Sequence, residues 1–468
     1  MTQFYECLRL ALFRRAMPIG ASLLVLFSSA SAETMNQAVQ RSLANSNARQ
    51  VAIKSIEAQN SQVAISQGDR RATVDLFGEV AVESVDDGTI PGGGSNEETQ
   101  LARQAALGVR YPVADGFRSL NQLYRDATLL DAEIIRLSDA TETIALNAVQ
   151  AYIDVFRHTN IVNISEQNIS VHVEIARQVE RAVDVGRLSE PDRFQANDKL
   201  LAARIAHADA KAALNDAISR YEFVIGSAPR GGLAVPALRN VPTSRQSIEE
   251  TAVRNSFLLR VAQKDIDALT LQESIDVADW QPQVDVFLRG SVETDVDGAT
   301  GTETNVAAGI SLNWTLYKGG TRDDVIARNR DLTMRAHYRK HQIEDEVRDL
   351  ARRSFNAYVA AVERKQLLDS TVLNNEKIVE AFKSEFEAAK RPLLEVLDAE
   401  RALFNLKVRR TNAEAAVAYQ QYRMLAAQSL LSRHFGLSPF GRNLSADFAA
   451  RVQAEPREDF DISAPALE

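Results

Sequence analysis

TVDLFGEVAVE, residues 73–83, alternates strictly along an extended chain: Val74, Leu76, Val80 and Val82 fall on one face, and Asp75, Phe77, Glu79, Ala81 and Glu83 on the other. A period of two is the signature of a strand with unlike faces. The same stretch returns 210 positions later as QVDVFLRGSVE, residues 283–293, where Val284, Val286, Leu288 and Val292 oppose Asp285, Phe287, Arg289, Ser291 and Glu293. The likeness extends outward. Residues 51–83 align on 261–293 without a gap, with 13 of 33 positions identical, too many for unrelated segments, so the chain is internally duplicated.

Matches continue with small changes of offset. VRYPVADG (109–116) resembles LNWTLYKG (312–319), Ala151-Tyr152 corresponds to Ala357-Tyr358, and GSAP (226–229) to GLSP (436–439). These bounds predict a first repeat over 33–230, a Gly- and Pro-containing linker over 231–244 and a second repeat over 245–439. Each repeat reads helix, strand, loop, strand, long helix, turn, helix. The strands are expected at about 72–84, 102–113, 283–295 and 304–317, joined by the polar loops 86–100 and 295–305.

The ends of the chain bear on compartment. Arg9, Arg14 and Arg15 precede the short apolar run MPIGASLLVLF (17–27), and Ala30-Ser31-Ala32 is a small-residue cleavage site, so residues 1–32 read as a secretory signal peptide. Cys7 is the single cysteine and lies in that peptide, which excludes disulfides and thiolate chemistry from the processed chain. Residues 440–468, with REDFD at 457–461, read as a flexible polar tail. The net charge of −9 and the lack of a basic stripe argue against nucleic acid. His337 and His341 share a helix face but lack further ligands at a metal-site spacing, and no phosphate loop or nucleophile motif is present, so no metal, cofactor or enzymatic activity is expected.

Gly116–Val185 and Gly319–Ala388 are proline-free helical stretches, too long for a compact domain. Ile144, Ala148, Ala151, Tyr152 and Val155 give one apolar face, and the many alanines suit coiled-coil pairing. Strands about ten residues long with an apolar outer face and a polar inner one follow the pattern of an outer-membrane barrel. Tyr111 and Trp314 end matching strands, where membrane-interface aromatics sit. Four strands cannot close alone. Two chains would give eight strands and three chains twelve, and periodicity does not choose between them.

YPVADGF (111–117), NWTLYKGG (313–320), LNAVQAYIDVFR (146–157), VDVGRLSEPDRFQAN (183–197) and RPLLEVLDAERAL (391–403) together resemble the TolC family of outer-membrane channel-tunnels, over about residues 33–440. QAYIDVFRHTNIV (150–162) and LLEVLDAERALFN (393–405) are most similar to its type I secretion branch. The resemblance implies a mainly α fold with a β-barrel part: a homotrimer with a twelve-stranded barrel in outer-membrane lipid and an α-helical barrel in the periplasm. It implies a periplasmic membrane-fusion adaptor and an inner-membrane ABC transporter as partners, and exported adhesin or toxin as cargo. Multidrug efflux through another pump is the alternative, and a soluble periplasmic coiled-coil scaffold is an alternative of another class.

By the same resemblance, Glu395 and Asp398 ring a pore constriction, Arg391 latches a neighbouring coil through Asp192, and Gly186, Ala389 and Pro392 form the tip turns. Ala389 replaces a turn glycine and Phe386 a latch tyrosine of the family pattern. Pro392 is expected at the first helical position of the segment that carries the two acids.

Overall fold

The computed structural model describes residues 33–86, 97–236, 238, 244–297, 300–388 and 390–437. The predicted signal peptide and C-terminal tail, Ala389 and most of residues 237–243 lie outside that set. The first repeat runs α1 (Met35–Asn45), α2 (Asn47–Gly68), β1 (Thr73–Asp86), β2 (Glu97–Ala114), α3 (Arg118–Asp184) and α4 (Glu190–Ile225). The second runs α5 (Arg245–Asn255), α6 (Phe257–Ala278), β3 (Gln283–Thr294), β4 (Thr302–Asn313), α7 (Thr321–Glu387) and α8 (Leu393–Ala427), followed by the short α9 (Leu431–His434).

The four strands make one antiparallel sheet in the order β1-β2-β3-β4, so the two hairpins meet through β2 and β3, and β1 and β4 are its edges. The first hairpin extends further than its sequence pattern: pairing runs from Thr73↔Arg110 to Asp86↔Glu97. In the second, β4 starts at Thr302, where the Thr294 and Thr302 hydroxyls bond at 3.0 Å and the Asp295 N–H donates to the Gly301 carbonyl. β4 stops at Asn313, short of the expected 317, because the chain then turns toward the Gly319-Gly320 corner. Tyr111 therefore lies inside β2 and Trp314 just beyond β4, its indole N–H donating to the Trp280 carbonyl at 3.0 Å.

The two faces of the sheet differ as the alternation requires. Val74, Leu76, Val80 and Val82 of β1 and Val306, Ile310 and Leu312 of β4 are exposed apolar side chains on one face, with Leu76 79% exposed. Arg103 is a charge on that face, opposite Val80 and Thr294. The other face is polar and tighter: the Gln104 amide donates to Glu293, and Gly309 leaves room for the ring of Phe287, which would stand 3.1 Å from any Cβ there. Among the described residues no helix is long and apolar enough to cross a membrane.

Each hairpin turns into a long helix through two left-handed residues, Gly116-Phe117 and Gly319-Gly320. At Gly116 a Cβ would stand 2.5 Å from the Gln281 side chain, so only glycine fits. Both α3 and α7 then run for 67 residues, which at the helical rise is roughly 100 Å. They double back as α4 and α8. On α4, Ala196, Ala203, Ala210 and Ala217 are buried at intervals of seven, the heptad spacing that supercoils two helices at close approach.

The main core lies where α1, α3, α4, α8 and α9 meet, around the fully buried rings of Tyr152, Tyr221 and Tyr422. The linker is strapped to this core. The Tyr152 hydroxyl donates to the Glu33 carbonyl at 2.8 Å, with the Ala234 carbonyl at 3.1 Å as the alternative acceptor, and accepts from the Ala234 N–H, while Leu233, Val235 and Leu238 pack against this core. Glu142, buried on α3, accepts from the N–H groups of Leu431 and Ser432 at 3.0 and 2.9 Å and from the Ser432 hydroxyl at 2.5 Å. This caps the free N–H groups at the start of α9 from a helix far away in sequence.

Candidate functional site at the tips of the helix pairs

The ends of α3 and α7 remote from the sheet are held by a small apolar core of Ile175, Val179, Ala196, Leu393 and Leu397. In the α3–α4 turn Gly186 takes φ +76°, the left-handed value that glycine adopts without strain. The next helix is capped by Ser189 and Asp192: the Ser189 N–H and hydroxyl donate to Asp192 Oδ2 at 3.0 and 2.7 Å. These two bonds hold the Asp192 carboxyl below the ordinary carboxylate range, so it stays ionised in mild acid.

The α7–α8 turn differs. Pro392 is not the first helical residue; with φ −68° and ψ 146° it is the cap before it, and α8 starts at Leu393. The extended ψ leaves no helical turn at the proline. α8 then presents two faces. Leu393, Val396, Leu397 and Leu403 point into the tip core and the helix pair, while Leu394, Glu395 and Asp398 are exposed on the opposite side. The spacing of three that joins Glu395 and Asp398 in the sequence therefore places both acids on the exposed face of α8.

Arg391 precedes Pro392 and is held within its own chain. Its Nε donates to Glu385 at 2.6 Å, its Nη1 donates to Glu395, and its guanidinium lies 3.7 Å over the ring of Phe382. The hydrogen bond to Glu385 is the largest influence raising its pKa further above the ordinary arginine value. Neither Arg391 nor Asp192 contacts the other within the chain: each is engaged locally, one by α7 and α8, the other by its own cap.

One group at the tip is missed by the sequence reading. Glu400, buried on α8, pairs with Lys383 of α7, and His172 is buried nearby on α3. Burial is the main cause holding the His172 pKa down, with the charges of Glu400, Lys199 and Lys383 acting on it as well. A signal was present: Leu393, Val396, Leu397, Glu400 and Leu403 form one helical stripe, which puts Glu400 among the core positions. Among the described residues no group of three or more potential ligands could hold a metal ion.

A four-stranded sheet with one apolar face and two open edges, continued by paired helices of roughly 100 Å, is the channel-tunnel fold. Residues 249–428 match the family model described as Outer membrane efflux protein. Over those residues the chain is similar to the TolC-like proteins of that family, and it is an outer-membrane protein. It is 22% identical over 314 residues to the Outer membrane efflux protein BepC of Brucella suis biovar 1 (strain 1330), covering 67% of this chain and 69% of that one. It is 19% identical over 381 residues to the Outer membrane protein TolC of Escherichia coli (strain K12), covering 71% and 75%. The crystal structure of the Campylobacter jejuni CmeC outer membrane channel superposes with a TM-score of 0.73 at 14% identity, covering 90% of this chain and 89% of that chain.

Proposed function

We propose that three copies of this chain form a passive exit duct across the outer membrane, gated at the tips of the helix pairs. The observation that carries it is the sheet: an apolar face turned outward together with unpaired edges at β1 and β4. An open edge in lipid leaves backbone groups without partners, so β4 must pair with β1 of a neighbour until the ring closes. Such head-to-tail contacts close into a cyclic assembly, and twelve strands enclose a lumen where eight would be filled by side chains.

In that assembly the exposed face of α8 lines the inner aperture, and Glu395 and Asp398 form a ring of acids that favours cations. Arg391 Nη2 and Asp192 Oδ1 have no partner among the described residues. These are the atoms through which Arg391 of one chain latches Asp192 of the next, individually weakly, so that a docking adaptor can release them. Tyr111 and Trp314 sit at the helix end of the sheet, where they anchor the barrel at the lipid interface.

The duct receives its cargo from a periplasmic adaptor and an inner-membrane pump. Type I secretion, with an ABC transporter and a protein cargo, is the reading supported by residues 150–162 and 393–405. Drug efflux is the second reading, favoured by the family description and by the name of BepC. Deleting the gene and comparing secreted proteins with antibiotic susceptibility separates the two.

The pore itself is tested by single-channel currents of the purified protein in a planar bilayer. A small, steady, cation-preferring conductance is expected, with Asp398→Asn lowering the cation preference by about twofold. Opening bursts should lengthen in Arg391→Ala. Absence of any conductance from inserted oligomers would leave a coiled-coil scaffold as the better reading.

A further inference from the structure

We infer that Arg391 determines the ion selectivity of the aperture, as the in-chain counter-ion of Glu395. The inference rests on the proposed aperture and concerns which of its charges are felt there. Of the two exposed carboxylates in the first two turns of α8, Glu395 is bound by the Arg391 guanidinium, whereas no ion pair is made by Asp398 among the described residues. In a ring of three chains each Glu395 is thus screened by a guanidinium that it shares with Glu385, while each Asp398 is not screened, so the field at the aperture comes mainly from Asp398.

The geometry keeps the arginine in place. Phe382 supports the flat face of the guanidinium, Glu385 holds Nε from α7, and Pro392 restricts the backbone directly after it. A planar, permanently charged fork suits this position, since it bridges two carboxylates from two helices while stacked on a ring. Placing a cation at the start of α8 runs against the helix dipole, whereas Glu395 in the first turn is favoured by it. The arginine is therefore held there by its three contacts and not by the helix end.

Lys390 is exposed and adjacent, and it provides a control of equal charge. It is not among the partners of Glu395, whose ion pair is with Arg391. A selectivity effect that depends only on net charge would appear equally when either cation is removed. An effect that depends on the Arg391–Glu395 contact would not.

The test is a double-mutant cycle read as reversal potentials of the full-length oligomer in a potassium chloride gradient. Glu395→Gln alone is expected to change the potassium-to-chloride permeability ratio by less than about 1.5-fold, and by about threefold in the Arg391→Gln background. Lys390→Gln should leave the small effect of Glu395→Gln unchanged. Equal effects of Glu395→Gln with and without Arg391, or coupling of the same size through Lys390, would overturn the counter-ion assignment. The aperture reading fails separately: conducting channels in which Asp398→Asn and both Glu395→Gln variants all keep the wild-type ratio would show that α8 does not line the constriction.

Discussion

Leu76→Arg is expected to destabilise the membrane-inserted protein by about 2–4 kcal/mol per chain, the range for an arginine placed at mid-depth on the lipid face of a barrel. Leu76 stands opposite Leu107 across the β1–β2 ladder, which continues to Gly290 and Val306 on β3 and β4. All four positions belong to the outward face, so the arginine has no carboxylate beside it in this row. The control is Glu79→Arg, three residues on and on the opposite face, opposite Gln104. There the guanidinium would project toward the lumen and stay hydrated, with little effect on stability. Unfolding in lipid vesicles of the two variants, measured side by side, decides the matter. Equal stability of the two would show that the apolar stripe does not meet lipid.

The second large effect is at Glu142. Glu142→Ala removes three hydrogen bonds to the start of α9 and leaves two buried N–H groups without an acceptor. A loss of roughly 3 kcal/mol is expected for such a site. It should appear as faster proteolysis and hydrogen exchange over Leu431–Leu437, ahead of global unfolding.

The pH dependence has a definite sign. Burial raises the Glu142 pKa above its ordinary value of 4.5, partly opposed by the bonds from Ser432 and Leu431, with nearby Asp139 adding to the rise. Between the ordinary and the raised value the folded chain binds more protons than the unfolded one, so stability falls as pH rises through that window. Its contribution is complete below the ordinary value and is lost above the raised one. Thermal unfolding should show this negative slope in the wild type, and Glu142→Gln, which cannot ionise, should flatten it. An unchanged slope in Glu142→Gln would place the titration elsewhere, with Asp139, also raised by burial, the next group to replace.

The tip shows how far spacing carries. Glu395 and Asp398 were legible as one face of a helix, and that face is exposed on α8. Gly186 was legible as a turn residue and takes a positive φ. Arg391 could be placed beside Glu395 by number alone, but its bond to Glu385 and its seat on Phe382 come from the far side of a turn. The path of such a turn is not written in the periodicity of either helix. Pro392 illustrates the limit within a single residue: its ring restricts φ, while ψ decides between cap and first turn.

The duplication, the alternating faces of the strands, the length of α3 and α7 and the heptad alanines of α4 follow from the sequence by itself. Each depends on contacts two to seven positions apart, or on a repeat compared with its copy, and local spacing records both. Tertiary structure alone decided the order β1-β2-β3-β4, the strapping of the linker across Tyr152 and Tyr422, the pinning of α9 by Glu142 and the partners of Arg391. The first three join segments far apart in the chain, and Arg391 meets Glu385 and Phe382 only across the path of the α7–α8 turn, which the periodicity of neither helix records.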